Sequence, residues 1–278
     1  MKPKRVAFYF SPHEDDWQLF MMPAAFRDIA DNSTRCVFVH LTAGDAGLGL
    51  GTGGRRHPYY LAREHGAEAA IRFLADCDGK PPEEPRIDAP VFARHAIRRV
   101  SYRNTVAYFP RLPDGNPDGG GYTATGLQSL KRLAENDVTT MTAIDGSADY
   151  FGWADLTAML RALVIGESEG RIPDLHIPEL DATINPGDHA DHRFTARAVR
   201  DAIDGLPARV FHHMGYAAGE RPENLTGEDR DLKCAVYAVT MAGVLALDHT
   251  VAWRHYDALF AGRDYWREER VAASGADR

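Results

Sequence analysis

The chain opens with a short, nearly unbroken apolar run, Arg5–Ser11 (RVAFYFS). An apolar run without polar alternation reads as a strand buried on both faces, the kind found inside a parallel sheet. Leu19, Met22, Phe26 and Ile29 follow at helical spacing, with Asp15 or Asp16 placed to cap that helix. A second apolar run, residues 36–42 (CVFVHLT), comes after the break at Asp31-Asn32-Ser33. Strand, helix and strand in close succession form a βαβ unit, which commits both strands to one parallel sheet with a right-handed crossover.

The alternation continues. Pro58 opens a helix whose inner face carries Ala67, Ala70, Ile71 and Leu74. Residues 91–112 read as extended, 127–134 as a short helix and 139–144 as a short strand. Leu156, Met159, Leu160, Leu163 and Val164 mark a helix, 174–183 a strand, and Thr195, Ala198, Val199, Ala202 and Ile203 another helix. A strand over 208–212 and helices around Leu232–Gly243 and 250–261 follow, and the small polar tail 272–278 is expected to fray. The pattern predicts one α/β domain over residues 1–278. Its fold is expected to be Rossmann-like, a mostly parallel sheet with helices on both faces. The core spans about 5–215, with a mainly helical extension over 216–278. Ligand loops are expected at the C-terminal ends of the strands.

With 278 residues the chain can bury a large core, so it needs no metal merely to fold, and any metal ligands are functional. Lys+Arg is 32 against Asp+Glu 40, a net charge of −8 without a basic face, which argues against nucleic acid and anionic membranes as partners. No run approaches a membrane span. The first apolar run is too short and too soon acidic for a secretion signal, which predicts a cytoplasmic protein. Cys36, Cys77 and Cys234 are far apart and are expected to be buried, reduced thiols.

Two polar clusters stand out. Pro12-His13-Glu14-Asp15-Asp16 lies where the first strand gives way to a helix, and Gly187-Asp188-His189-Ala190-Asp191-His192 follows a later strand. Both fall at the sheet edge where open α/β folds bind ligands. His13 and Asp16, three apart, can converge on one point, and His189 and His192 share a helix-start face. Imidazole nitrogens and a carboxylate suit a divalent ion such as zinc. A third element, residues 43–54 (AGDAGLGLGTGG), spells G-x-G-x-x-G at Gly49, Gly51 and Gly54, but Arg55–Pro58 intervene before the helix. It reads as a flap near the metal rather than a nucleotide cradle.

Ser11-Pro12-His13-Glu14-Asp15-Asp16 and His189-Ala190-Asp191-His192 resemble the paired motifs of the PIG-L/LmbE-like zinc-dependent N-deacetylases. Leu41–Gly47, Arg63–Ala69 and Arg111–Gly115 resemble that family's intervening segments, so the resemblance covers about residues 5–215. It implies that His13, Asp16 and His192 bind one zinc ion per chain and that Asp15 is the general base. It implies that His189, protonated, stabilises the oxyanion or protonates the leaving amine. Arg63 and Asp114 would line the substrate pocket, with Asp45 a weaker candidate, and Asp191 would orient His189 or a metal ligand. Glu14 and Ala190 stand where the family has proline, Trp17 where it has glutamate, and Gly187 where some members have tyrosine.

The implied activity is hydrolysis of an N-acyl group, acetyl above all, from an amino sugar or its conjugate. Three other readings stay open. One is an amidase for a non-sugar N-acyl or thiol-conjugate substrate. Another is a non-haem iron enzyme, since two histidines and a carboxylate also make that facial triad. The last is a non-catalytic sugar-binding protein, against which Asp15 argues. The helices beyond about 226 either close the pocket or offer a face to a second copy of the chain.

Overall fold

The structure is a computed structural model and describes residues 3–273, so residues 274–278 of the expected tail lie outside the described residues. Eight strands form one sheet: β1 (Arg5–Ser11), β2 (Thr34–His40), β3 (Arg86–Asp88), β4 (Arg98–Tyr102), β5 (Thr105–Phe109), β6 (Asp174–Pro178), β7 (Ala208–His213) and β8 (Trp266–Val271). Their spatial order is β8-β7-β6-β1-β2-β5-β4-β3. The inner five, β7-β6-β1-β2-β5, run parallel, and the remaining pairings are antiparallel. The molecule is thus a mixed α/β protein with a large, mostly parallel central sheet.

The apolar runs follow from burial on two sides. Val6, Phe8 and Phe10 of β1 enter one core with Val37 and Val39, while Ala7 and Tyr9 enter the other with Cys36 and Phe38. Helices α4 (Leu130–Ala134), α5 (Trp153–Ser168) and α6 (Ala190–Ala202) cover the first face. Helices α1 (Asp16–Phe20), α2 (Ala24–Ala30), α3 (Tyr59–Ala75) and α7 (Gly227–Ala246) cover the second, with α8 (Trp253–Phe260) beside them. Gly66 and Gly243 let α3 and α7 cross closely: a Cβ on Gly243 would sit 2.6 Å from the Gly66 Cα.

Several elements differ from their sequence patterns. The first helix is two, α1 and α2, separated around Pro23, which brings no N–H to an α-helical ladder. Residues 91–112 hold a two-strand ribbon (Val91–Phe92 with His95–Ala96) and the β4–β5 hairpin rather than one extended run. Of 139–144 only Met141–Thr142 is strand, paired with Asp149–Tyr150 outside the main sheet. The C-terminal extension is not simply helical, because β8 returns to pair with β7 and completes the sheet edge. Cys36 is buried as expected, Cys77 is exposed, and no disulfide joins the three cysteines. Among the described residues no helix is long and apolar enough to cross a membrane.

What positions the site is the strand order. The chain runs from β1 to β2 and β5 on one side, then crosses to β6 and β7 on the other. The C-terminal ends of β1 and β6 therefore flank the crevice where open parallel sheets bind ligands.

Candidate metal centre

The segment leaving β1 is pinned from the loop after β2. The Pro12 carbonyl accepts from Thr42 N at 3.0 Å and from Thr42 Oγ1 at 2.8 Å, and the Ser11 hydroxyl donates to the His13 carbonyl. His13 N donates to Asp16 Oδ2 at 2.8 Å, which fixes the Asp16 side chain under the imidazole. Across the crevice, Asn185 and Asp188 hold the segment leading into α6. Asn185 Nδ2 donates to Asp188 Oδ2 at 2.7 Å, and Tyr216 N donates to Asp188 Oδ1 at 3.1 Å. His189 occupies the N-cap of α6, where its Nδ1 accepts from Asp191 N at 3.1 Å.

These supports bring the two distant clusters together. Asp16 Oδ2 lies 3.1 Å from His13 Nδ1, and Asp16 Oδ1 lies 3.3 Å from His192 Nε2, all three side chains being buried. The far nitrogens of both rings face carboxylates: His192 Nδ1 is 3.0 Å from Asp188 Oδ2, and His13 Nε2 is 3.3 Å from Asp191 Oδ2. Ionised carboxylates can only accept, so those nitrogens carry the hydrogens. The inward nitrogens then present lone pairs to the Asp16 oxygens, and His192 Nε2 has no hydrogen-bond partner. Acceptors facing acceptors in a buried site call for a cation or a proton between them. The electrostatics agree. Burial depresses His192, but Asp16 and Asp188 overcome it and raise the imidazole to about 10. Burial likewise opposes the charged form of His13, yet Asp16 and Asp191 hold it well above the ordinary histidine value. Burial raises Asp16, and the two imidazoles override it and hold the carboxyl well below its usual range.

A second buried grouping shares His13: its ligand atoms with those of Asp114, His189 and Asp191 lie within 4.8 Å of one another. This buried histidine and aspartate cluster as a whole is compatible with a metal ion. In the second grouping more atoms are already engaged, since Asp191 Oδ2 accepts from Gly115 N at 2.8 Å and His189 Nδ1 accepts from Asp191 N.

Asp15 stands at the N-cap of α1 but makes no side-chain cap bond. Its Oδ1 accepts from the Arg63 guanidinium instead, and Arg63 Nε lies 3.0 Å from Glu14 Oε2. Burial pushes the Glu14 carboxyl up to about 8 against the pull of Arg63. Gly44 makes room for this trio: at φ +49° it has no Cβ, which would fall 2.6 Å from Glu14 Oε2.

His13, Asp15, Asp16, Arg63, Asp114 and His189 line a cavity of about 190 Å³, together with Tyr122, Tyr216 and Tyr256. His192 lies just behind it. Asp191 holds both rings, its Oδ2 3.3 Å from His13 Nε2 and its N donating to His189 Nδ1, and Asp45 is an anchor that accepts from Asp114 N at 2.9 Å and Gly49 N at 2.7 Å. His189 departs from expectation. Burial and the neighbouring His13 lower it to about 4, so it is a neutral imidazole whose Nε2–H is its donor. A larger cleft of about 500 Å³ opens at the opposite sheet edge among Lys4, Arg5 and Arg209, but Asp174 is the one carboxylate on its wall and both arginines already bind it.

Asp188, Tyr122, Tyr216 and Tyr256 were not anticipated. Asp188 was legible in principle, four residues before His192 and so one helical turn away. Tyr216 and Tyr256 come from beyond β7, and no local pattern marks them. Compared with models of known protein families and with curated proteins, the chain matches none.

Proposed function

We propose that the chain is a metal-dependent hydrolase that removes an N-acyl group from an amino sugar or its conjugate, with His13, Asp16 and His192 holding one zinc ion. The observation that carries this is the convergence of two inward-facing imidazole nitrogens on Asp16, each ring fixed from behind by a carboxylate. Carboxylates behind ligating histidines are the usual support of a metal centre. The strand order β5-β2-β1-β6-β7, with both clusters at its crevice, favours a Rossmann-like arrangement and the PIG-L/LmbE-like resemblance.

When bound, the divalent ion would supply Lewis acidity and lower the pKa of water. The chain's own groups supply the rest. Asp15 accepts the proton of the attacking water through the oxygen that Arg63 leaves available, and returns it to the departing amine. Arg63, braced by Glu14, fixes the direction of Asp15. The neutral His189 Nε2–H, 3.9 Å from Asp114 Oδ1, is placed to donate to the oxygen that gains charge when the carbonyl is attacked. Asp114 and the tyrosines offer hydrogen-bonding partners to a hydroxyl-rich amine.

The test is release of amine from N-acyl glucosamines by zinc-loaded protein. Wild type is expected to turn over and the Asp16→Ala protein to lose both zinc and turnover. Zinc-loaded wild type that hydrolyses no N-acyl amino sugar would overturn the reading.

A further inference from the structure

At the N-terminal ends of β6 and β7, away from the metal crevice, the end of α5 and the turn after α6 frame a cleft of about 270 Å³. Its wall is aliphatic, built from Val164, Ile165, Ile203, Leu206 and Pro207. Among them stands Ser168, 5% exposed, whose hydroxyl has no hydrogen-bond partner among the described residues. Arg171, Pro207 and Ala208 also line the basic cleft of about 500 Å³, so the two meet along those residues. Both are surface grooves: Ile165 on one wall and Ile172 and Arg270 on the other are exposed. On the basic side Asp174 already holds Arg5 and Arg209. Lys4 has no ion-pair partner among the described residues, and Arg270 reaches Glu268 at 3.4 Å. Arg171 donates to the Ser168 carbonyl at 3.1 Å and lies 3.3 Å from Glu169 Oε2, both through Nη1, which leaves its Nε and Nη2 for a ligand. The helix ends here are neutralised in the same way, with Arg171 on Ser168 of α5 and Arg161 Nη1 donating to the Ala202 carbonyl of α6 at 2.9 Å.

We propose that this joined groove binds a medium-chain aliphatic carboxylate, its chain along Val164, Ile165, Ile203 and Leu206 and its head between the Ser168 hydroxyl and Arg171, on the Lys4 side. The wall holds no aromatic ring on which a planar ligand would stack, which favours a flexible chain. At roughly 30 Å³ for each water-sized group, 270 Å³ holds about nine, so a chain of about eight to ten carbons fills the cleft. A carboxylate accepts from a hydroxyl and a guanidinium together, and it gives the buried Ser168 hydroxyl the acceptor it lacks. A chain with eight more acidic than basic residues that still gathers Lys4, Arg171 and Arg270 beside an aliphatic groove is complementary there to an anion with an apolar tail. This ligand is separate from the substrate of the metal crevice, and its binding does not depend on what that crevice hydrolyses.

The experiment is calorimetric titration of the full chain with butyrate, hexanoate, octanoate and 1-octanol, on zinc-loaded and on chelator-treated protein. Affinity should rise about fourfold for each methylene up to octanoate. Octanol, which has the chain without the charge, should bind at least about 10-fold more weakly than octanoate. Arg171→Gln should weaken octanoate at least about 10-fold and leave octanol within about twofold. Ile165→Asp puts a charge on the aliphatic wall at an exposed position and should weaken both at least about 10-fold. Ile165→Gln is the second wall variant should the first fail to fold, with melting temperature as the check. No octanoate binding at millimolar concentration, no dependence on chain length, octanol binding as tightly as octanoate, or affinities unchanged in both variants would each overturn the proposal. Binding that requires zinc would place the carboxylate on the metal and overturn it too. A dimer that Ile165→Asp dissociates, with no octanoate bound by either form, would give this face to a second copy of the chain and overturn it as well.

Discussion

Replacing Asp188 by asparagine changes one atom and removes one charge, yet it should disable the metal centre. The carboxylate serves three donors: His192 Nδ1 at 3.0 Å and Asn185 Nδ2 at 2.7 Å on Oδ2, and Tyr216 N at 3.1 Å on Oδ1. An amide has one oxygen. With its NH₂ toward Tyr216, a donor meets a backbone N–H that cannot turn away. With its NH₂ toward His192, a donor meets Asn185, whose own amide is held by Ala217 N donating to Oδ1 at 3.2 Å. In the second orientation His192 accommodates by moving its hydrogen to Nε2, which consumes the lone pair aimed at the metal. Either arrangement strands one buried donor, at about 1–3 kcal/mol. Recovering the ligating tautomer costs metal binding a similar amount, which corresponds to roughly a 10- to 100-fold loss of affinity. The assay is a competition titration of zinc against a chromogenic chelator, with thermal unfolding run alongside to show that the variant is folded. A folded Asp188→Asn protein that binds zinc within about twofold of wild type would refute the claim that Asp188 sets the His192 tautomer.

The base can be separated from the metal: Asp15→Asn should lower turnover at least about 100-fold while zinc content by elemental analysis stays unchanged. Gly44→Ala forces a residue with a Cβ into φ +49° and against Glu14 Oε2, so it should cost about 1–3 kcal/mol of stability, read as a lower melting temperature, and loosen Arg63 from Asp15, read as a lower kcat. His40 is buried and stacked on Phe109 at 5.0 Å, and burial holds it down to about 3. Its folded value lies below its unfolded one near 6.5, so the unfolded chain takes up the proton first. Stability from keeping His40 neutral is complete above about pH 6.5 and falls by up to about 1.4 kcal/mol per pH unit between there and pH 3. Urea unfolding across that range should show a shallower acid limb in His40→Phe, and identical slopes would contradict the assignment.

What could be read from the residues divides along a physical line. β1, α3 and α6 were legible because each is specified by its own short stretch. Six consecutive buried residues of β1, on both faces, leave a nearly continuous apolar run, and one-sided helices leave a 3.6-residue period. The same holds for His13, Asp16 and His192, because sheet topology places the ends of β1 and β6 at one crevice whatever the detailed contacts. The rest depended on partners distant in sequence. β8 carries Trp266-Arg267-Glu268-Glu269-Arg270-Val271, an edge strand whose alternating charges hide it, and it exists because β7 offers it a ladder. Asp15 looks like a helix cap, and it is drawn away by Arg63, 48 residues later. His189 looks like a protonated acid beside aspartates, and burial together with His13 makes it a neutral donor. In each case the local pattern names the residue, and a neighbour supplied by the fold assigns its hydrogen-bonding role. That is why the hydrogen positions on His13, His189 and His192, more than the presence of the histidines themselves, decide what chemistry this crevice can perform.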